Sequence, residues 1–166
     1  MEIAGTTIDK GYEKEASLIL ELIEIAKTGK TVRMLGIGNS MQPLLKSGED
    51  YIWLEAVKEQ ERLKRGDVIL YFSAGHFILH RIFRVTERGC EMLGDGNVMV
   101  EPPIPREQIY LKAVVYEKNG KKISASRWDM IVFGRVWLRI RPLRPWIRRG
   151  FRWVRRKIGK GGRNEG

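Results

Sequence analysis

Two hydrophobic periods divide the chain. In residues 13–27, Ala16, Ile19, Leu20, Leu22, Ile23 and Ala26 recur at helical spacing, while Glu21 and Glu24 fall on the other side. That pattern predicts an amphipathic helix lying on a core, with Gly29 as its C-terminal stop. From Lys30 the period shortens. Runs of β-branched and aromatic residues at 32–37, 51–54, 67–72, 77–82, 90–93, 111–116 and 122–124 predict strands, separated by Gly, Asp and Asn. Ser73-Ala74-Gly75-His76 and Asn119-Gly120 read as hairpin turns. The charged stretch 56–65 reads as a loop or short helix. The expected fold class is mainly β, an open barrel or sandwich of short strands with an N-terminal helix.

The helical period returns at the end of the chain. Over residues 146–158, Ile147, Phe151, Val154 and Ile158 follow 4-3-4 spacing, and Arg148, Arg149, Arg152, Arg155 and Arg156 gather opposite. Pro142 and Pro145 separate this helix from residues 128–139. Three units follow: an N-terminal amphipathic helix over 1–30, a β domain over 31–126, and a basic Trp- and Arg-rich tail over 127–166.

Charge sharpens that division. The 166 residues carry a formal net charge of +11. The last 40 hold 13 Lys and Arg against 2 Asp and Glu, whereas the first 126 hold 18 of each. A neutral body with a cationic tail fits attachment to an anionic surface. Trp146 and Trp153 lie seven residues apart, close to one angular position on a helix. With Ile147, Phe151, Val154 and Ile158 they form the expected membrane-binding face of an in-plane anchor. Nucleic acid is the weaker partner, because nothing beyond the basic helix points to it. The longest apolar run, residues 68–72, is far short of a membrane span. The N-terminus lacks a cationic start before an apolar stretch, so no secretory signal is expected. The expected location is peripheral to a membrane or in the cytoplasm. One cysteine excludes an intramolecular disulfide, and with two histidines it excludes a four-ligand Cys/His zinc site.

The chemistry concentrates in three places: Gly38-Asn39-Ser40-Met41-Gln42-Pro43, Leu79-His80-Arg81-Ile82 and Gly94-Asp95-Gly96-Asn97. A serine becomes a nucleophile when a base removes its proton, and the base works best when a third group orients it. Histidine suits the base role because it titrates near neutrality, and aspartate suits the orienting role. Gly38 leaves room for backbone N–H groups to approach a substrate carbonyl. Each part also has an ordinary structural use: a serine in a turn, a histidine on an apolar strand, a Gly-Asp-Gly turn.

Read in order, Gly38-x-Ser40-Met41-x-Pro43-x-Leu45 with Gly48, then Gly66-Asp67-Val68-Ile69, then His80-Arg81-Ile82, then Gly94-Asp95-Gly96-Asn97 resembles the motifs of the type I signal peptidases. The LexA-type autoproteases share part of the set. The resemblance covers residues 32–116. His80 stands where most bacterial members have a lysine, as in the archaeal and endoplasmic-reticulum variant. The resemblance implies a β-rich peptidase fold, Ser40 as nucleophile and His80 as general base. It also implies Asp95 as the acid that can orient His80, and the Ser40 N–H as the oxyanion donor. Extended substrate would pair beside Leu35, Gly36 and Ile37, with Gly38, and beside Phe77, Ile78 and Leu79, with Met41 and Pro43 shaping the site. The chain departs from the family at Gly48-Glu49, where Gly-Asp is usual, and at Gly96. It also has no counterpart of the family's N-terminal anchor.

The function expected is therefore a serine endopeptidase acting on an extended peptide or precursor leader through an acyl-enzyme, with no metal or organic cofactor. The rivals are a non-catalytic peptide- or membrane-binding module on the same fold, and nucleic-acid binding through the tail. Cys90 as a thiol partner of His80 is the minor alternative to Ser40, against its usual role as a small buried hydrophobe. His76 is expected to be a solvated turn residue. The tail from Trp128 onward is expected to be separable from the catalytic fold.

Overall fold

A computed structural model of the chain describes residues 2–3 and 6–143. The helix α1 (Glu13–Lys27) occupies the residues its periodicity marks, with Ala16, Ile23 and Ala26 buried. A two-residue pair, β1 (Glu2–Ile3) and β2 (Thr6–Thr7), precedes it. Seven further strands form one antiparallel sheet: β3 (Val32–Leu35), β4 (Tyr51–Ala56), β5 (Val68–Ser73), β6 (His76–Thr86), β7 (Gly89–Leu93), β8 (Ile109–Lys118) and β9 (Lys121–Ser124). The order is β3-β4-β8-β5-β6-β7, with β9 added to β8. The fold is mainly β, a sheet open between β3 and β7. Residues 57–67 carry no regular element.

The central strand β5 explains why its sequence shows no polar alternation. Val68, Leu70 and Phe72 join the cluster that α1 covers, with Ile52, Leu54 and Leu111. Ile69 and Tyr71 face the other way, against Ile82, Met92 and Ile109. A strand buried on both faces reads as one continuous apolar run. The β5–β6 hairpin closes through Ala74 and Gly75, both at positive φ, with Ser73 paired to His76. Such a turn matches the right-handed twist of its strands. His76 therefore opens β6, where its Nδ1 lies 3.1 Å from the Ala74 carbonyl.

The tail departs from its expected separability. Helix α2 (Trp128–Arg139) packs on the body. Leu138 is buried, and Met130 and Phe133 lie against the main core cluster. Gly134 sits so close over Arg81 that a Cβ there would lie 2.8 Å from Nη1. The cause is the inner face of α2, where apolar side chains and a glycine let the helix approach a buried guanidinium. Trp146, Ile147, Phe151, Trp153, Val154 and Ile158, the expected membrane-binding residues, lie outside the described residues.

Candidate active site

Ser40 begins a turn that follows the end of β3. The turn is anchored by burial of Met41, Leu44 and Leu45 and by the Leu45 N–H on the Met41 carbonyl at 2.9 Å. Gly38, at φ +86, precedes it and gives its N–H to Ser47 Oγ at 3.0 Å. Few side chains tolerate that backbone conformation.

The loop 94–97 lies directly on this turn. The Gly96 N–H donates to the Ser40 carbonyl at 2.6 Å. A Cβ on Gly96 would come within 2.6 Å of the Asn39 carbonyl. A Cβ on Gly94 would lie 2.7 Å from the Ser40 carbonyl oxygen and 2.8 Å from His80 Nε2. The Ser40 carbonyl and the Nε2 edge of the His80 ring thus border the same small space, which a side chain at 94 would fill.

His80 is buried on β6. Its Nδ1–H donates to Glu101 Oε1, and the other carboxylate oxygen accepts the Tyr71 hydroxyl. Tyr71 Oη lies 3.1 Å from His80 Nδ1. With Nδ1 carrying the proton to Glu101, Nε2 is left as the acceptor, on the ring edge that borders Gly94. Burial raises the Glu101 pKa, but hydrogen bonds from His80 and Tyr71 outweigh it and hold the carboxyl below the usual range. Burial, then the bond to Glu101, drives the Tyr71 phenol well above its ordinary value, so it remains a donor.

The carboxylate on His80 Nδ1 is therefore Glu101, where Asp95 was the expected partner. Asp95 is wholly buried, and both its carboxylate oxygens are held by Arg81, from Nε at 2.8 Å and Nη2 at 2.7 Å. Arg81 Nη1 also reaches the Gly66 carbonyl at 2.7 Å. A carboxylate paired this way has its acceptor sites directed at the guanidinium, away from the imidazole. Glu101 lies outside the three sequence motifs. Its signal was a single charged residue within the otherwise uncharged stretch Val98-Met99-Val100-Glu101-Pro102-Pro103-Ile104.

A groove of about 400 Å³ leads to Ser40. Leu35, Gly36, Ile37, Gly38 and Met41 line it on one side and Phe77, Ile78 and Leu79 on the other. All eight expected substrate-binding residues thus border one groove. Among the described residues β3 pairs only with β4, and residues 77–79 pair only with β5. Both borders therefore leave backbone groups facing the groove, where an extended chain can hydrogen-bond. The third wall is α1, through Tyr12, Glu15, Leu18, Ile19 and Leu22. Leu18, an exposed apolar residue beside Lys14, Glu15 and Glu21, is the readable sign of this wall.

The remaining candidates lie apart. Cys90 is buried on β7 beside Ile104, and burial pushes its thiol up, away from the thiolate a nucleophile needs. His76 Nδ1 lies 3.4 Å from Asp9 Oδ2 and takes no part in the Ser40–His80 constellation. Among the described residues no group of three His, Cys, Asp or Glu side chains could hold a metal ion. No protein-family model matches the chain, and no curated protein matches it.

Proposed function

We propose that the protein is a serine endopeptidase of signal-peptidase type, with Ser40 as nucleophile, His80 as general base and Glu101 as the group that orients the base. One observation carries the reading: a carboxylate holds His80 by Nδ1 while Nε2 and the Ser40 carbonyl both border Gly94, and Ser40 lines an apolar groove. That supports a base kept in the tautomer it needs.

In this reading a peptide lies extended between residues 35–37 and 77–79, giving and accepting main-chain hydrogen bonds. His80 Nε2 takes the Ser40 hydroxyl proton as Oγ attacks the scissile carbonyl. The Ser40 N–H stabilises the oxyanion. The imidazolium, stabilised by ionised Glu101, returns the proton to the leaving amine. Water activated by the same imidazole then hydrolyses the acyl-enzyme. Each step moves one proton and uses no cofactor.

The outward face of α2 supports attachment at an anionic membrane. Trp128, Ile131, Val132 and Val136 are exposed there, beside Arg135 and Arg139. Among the described residues no helix is long and apolar enough to cross a membrane.

The test is labelling with a fluorophosphonate, which traps activated serines. Wild type should take one label per chain on Ser40, and Ser40→Ala none. If the two are equally unlabelled while the protein still binds apolar peptides, the groove belongs to a non-catalytic binding module.

A further inference from the structure

We propose that Trp137 is a positioning residue of this active site. Its indole N–H, delivered by the C-terminal helix, sets the loop 94–97 against Ser40 and His80. The inference rests on the hydrolase reading and extends the site to a residue 97 positions beyond the nucleophile.

The geometry is a short chain of contacts. Trp137 Nε1–H donates to the Asp95 carbonyl at 2.7 Å. The Asp95 side chain is already gripped by Arg81, so this residue is held at both its carboxylate and its main chain. Its two neighbours carry the contacts that matter. Gly96 holds the Ser40 carbonyl at 2.6 Å. Gly94 occupies the gap between that carbonyl and His80 Nε2. A peptide plane is rigid, so a shift at the Asp95 carbonyl is passed to Gly96, and through it to Ser40.

The indole is aimed before it meets the loop. Its ring stacks on Phe133, one turn earlier, with centroids 5.7 Å apart and planes 13° from parallel. Leu138 is buried beside it, and Gly134 brings the helix down onto Arg81. Stacking and helix contact place the ring. The N–H then serves a carbonyl in a loop, outside the sheet ladder, on a wholly buried residue where an unmet acceptor is costly.

Packing alone predicts a different behaviour from positioning, and the full-length protein separates them. Fluorophosphonate inactivation is followed against probe concentration, giving the maximal rate kinact, the half-saturating concentration KI and the final labelled fraction. Trp137→Phe keeps the stacked ring and loses the donor. Trp137→Gln keeps a donor and loses the ring. Positioning predicts that Trp137→Phe labels to completion, with KI within about twofold of wild type and kinact lower by about tenfold. It also ranks kinact as Gln above Phe, and that order survives partial unfolding because kinact is read on the fraction that labels. Lys121→Ser, exposed on β9, should keep the wild-type kinact. Wild-type kinact in Trp137→Phe, or Phe ranking above Gln, overturns the proposal. A wild-type protein that labels no more than Ser40→Ala overturns the hydrolase reading itself, and this inference with it.

Discussion

Glu101 accepts a hydrogen bond from Nδ1 of His80, 21 residues earlier in the chain. The same carboxylate takes the Tyr71 hydroxyl, so the imidazole and the phenol are tied to one ionised group. Asp95 lies closer in sequence, within a motif that suggests an active-site acid, yet it is bound to Arg81. The two acids therefore have different tasks, and mutation should separate them.

Ser40→Ala and His80→Ala should each abolish peptide cleavage; Ser40→Ala should leave the melting temperature near wild type, whereas His80→Ala should lower it by removing the buried hydrogen bond to Glu101. Residues that act as a unit are non-additive, so the double variant should be no slower than either single one. Cleavage kinetics with a melting curve for each variant checks this. Full activity in Ser40→Ala would move the nucleophile elsewhere.

Glu101→Gln should lower the cleavage rate by about 10²–10⁴-fold, because the amide no longer fixes the tautomer or stabilises the imidazolium. Asp95→Asn should act on stability instead. It leaves Arg81 buried without its counter-charge, a loss of about 3–5 kcal/mol. Urea unfolding together with cleavage assays would show the exchange of roles. A fully stable but inactive Asp95→Asn would return the orienting role to Asp95.

The pH dependence of stability follows from Glu101. Its folded-state pKa is depressed by His80 and Tyr71 against the opposing effect of burial. A depressed carboxylate binds fewer protons when folded than when unfolded. Its contribution is therefore present above the unfolded value and is lost as pH falls through the folded one. Unfolding free energies measured from neutral pH into the acid range should fall less steeply for Glu101→Gln than for wild type. Parallel curves for the two proteins would remove Glu101 as a coupled group.

Gly94→Ala should impair labelling of Ser40 more than it impairs folding. The added methyl would sit 2.8 Å from both His80 Nε2 and Asn97 Nδ2, and 2.7 Å from the Ser40 carbonyl. Overpacking of this kind costs about 1–3 kcal/mol and displaces what it touches. Wild-type labelling rates in Gly94→Ala would show that the contact is not functional.

Two truncations should divide the tail at residue 143. A chain ending at Leu143 should sediment less with anionic vesicles than the full chain, because residues 144–166 carry 9 Lys and Arg against 1 Glu. A chain ending at Ser126 should melt lower, since it uncovers the buried Arg81–Asp95 pair and removes Leu138. Equal sedimentation of the full chain and the Leu143 form would restrict membrane attachment to residues before 144.

Local pattern determined the helix 13–27, the strands and the β5–β6 turn, because periodicity and turn chemistry act between near neighbours. The eight groove residues are an expectation of the resemblance that the Ser40 and His80 motifs carry, not of the local pattern. Tertiary structure alone decided which acid serves His80. Asp95 and Glu101 both follow β7, and the choice turns on where the Arg81 guanidinium lies, since a buried cation claims the carboxylate it can reach with two hydrogen bonds. It also decided that α2 belongs to the body. The basic charge of the tail is visible in sequence, but the fit of Gly134 over Arg81 and of Trp137 on the Asp95 carbonyl depends on surfaces that exist only once the sheet is folded.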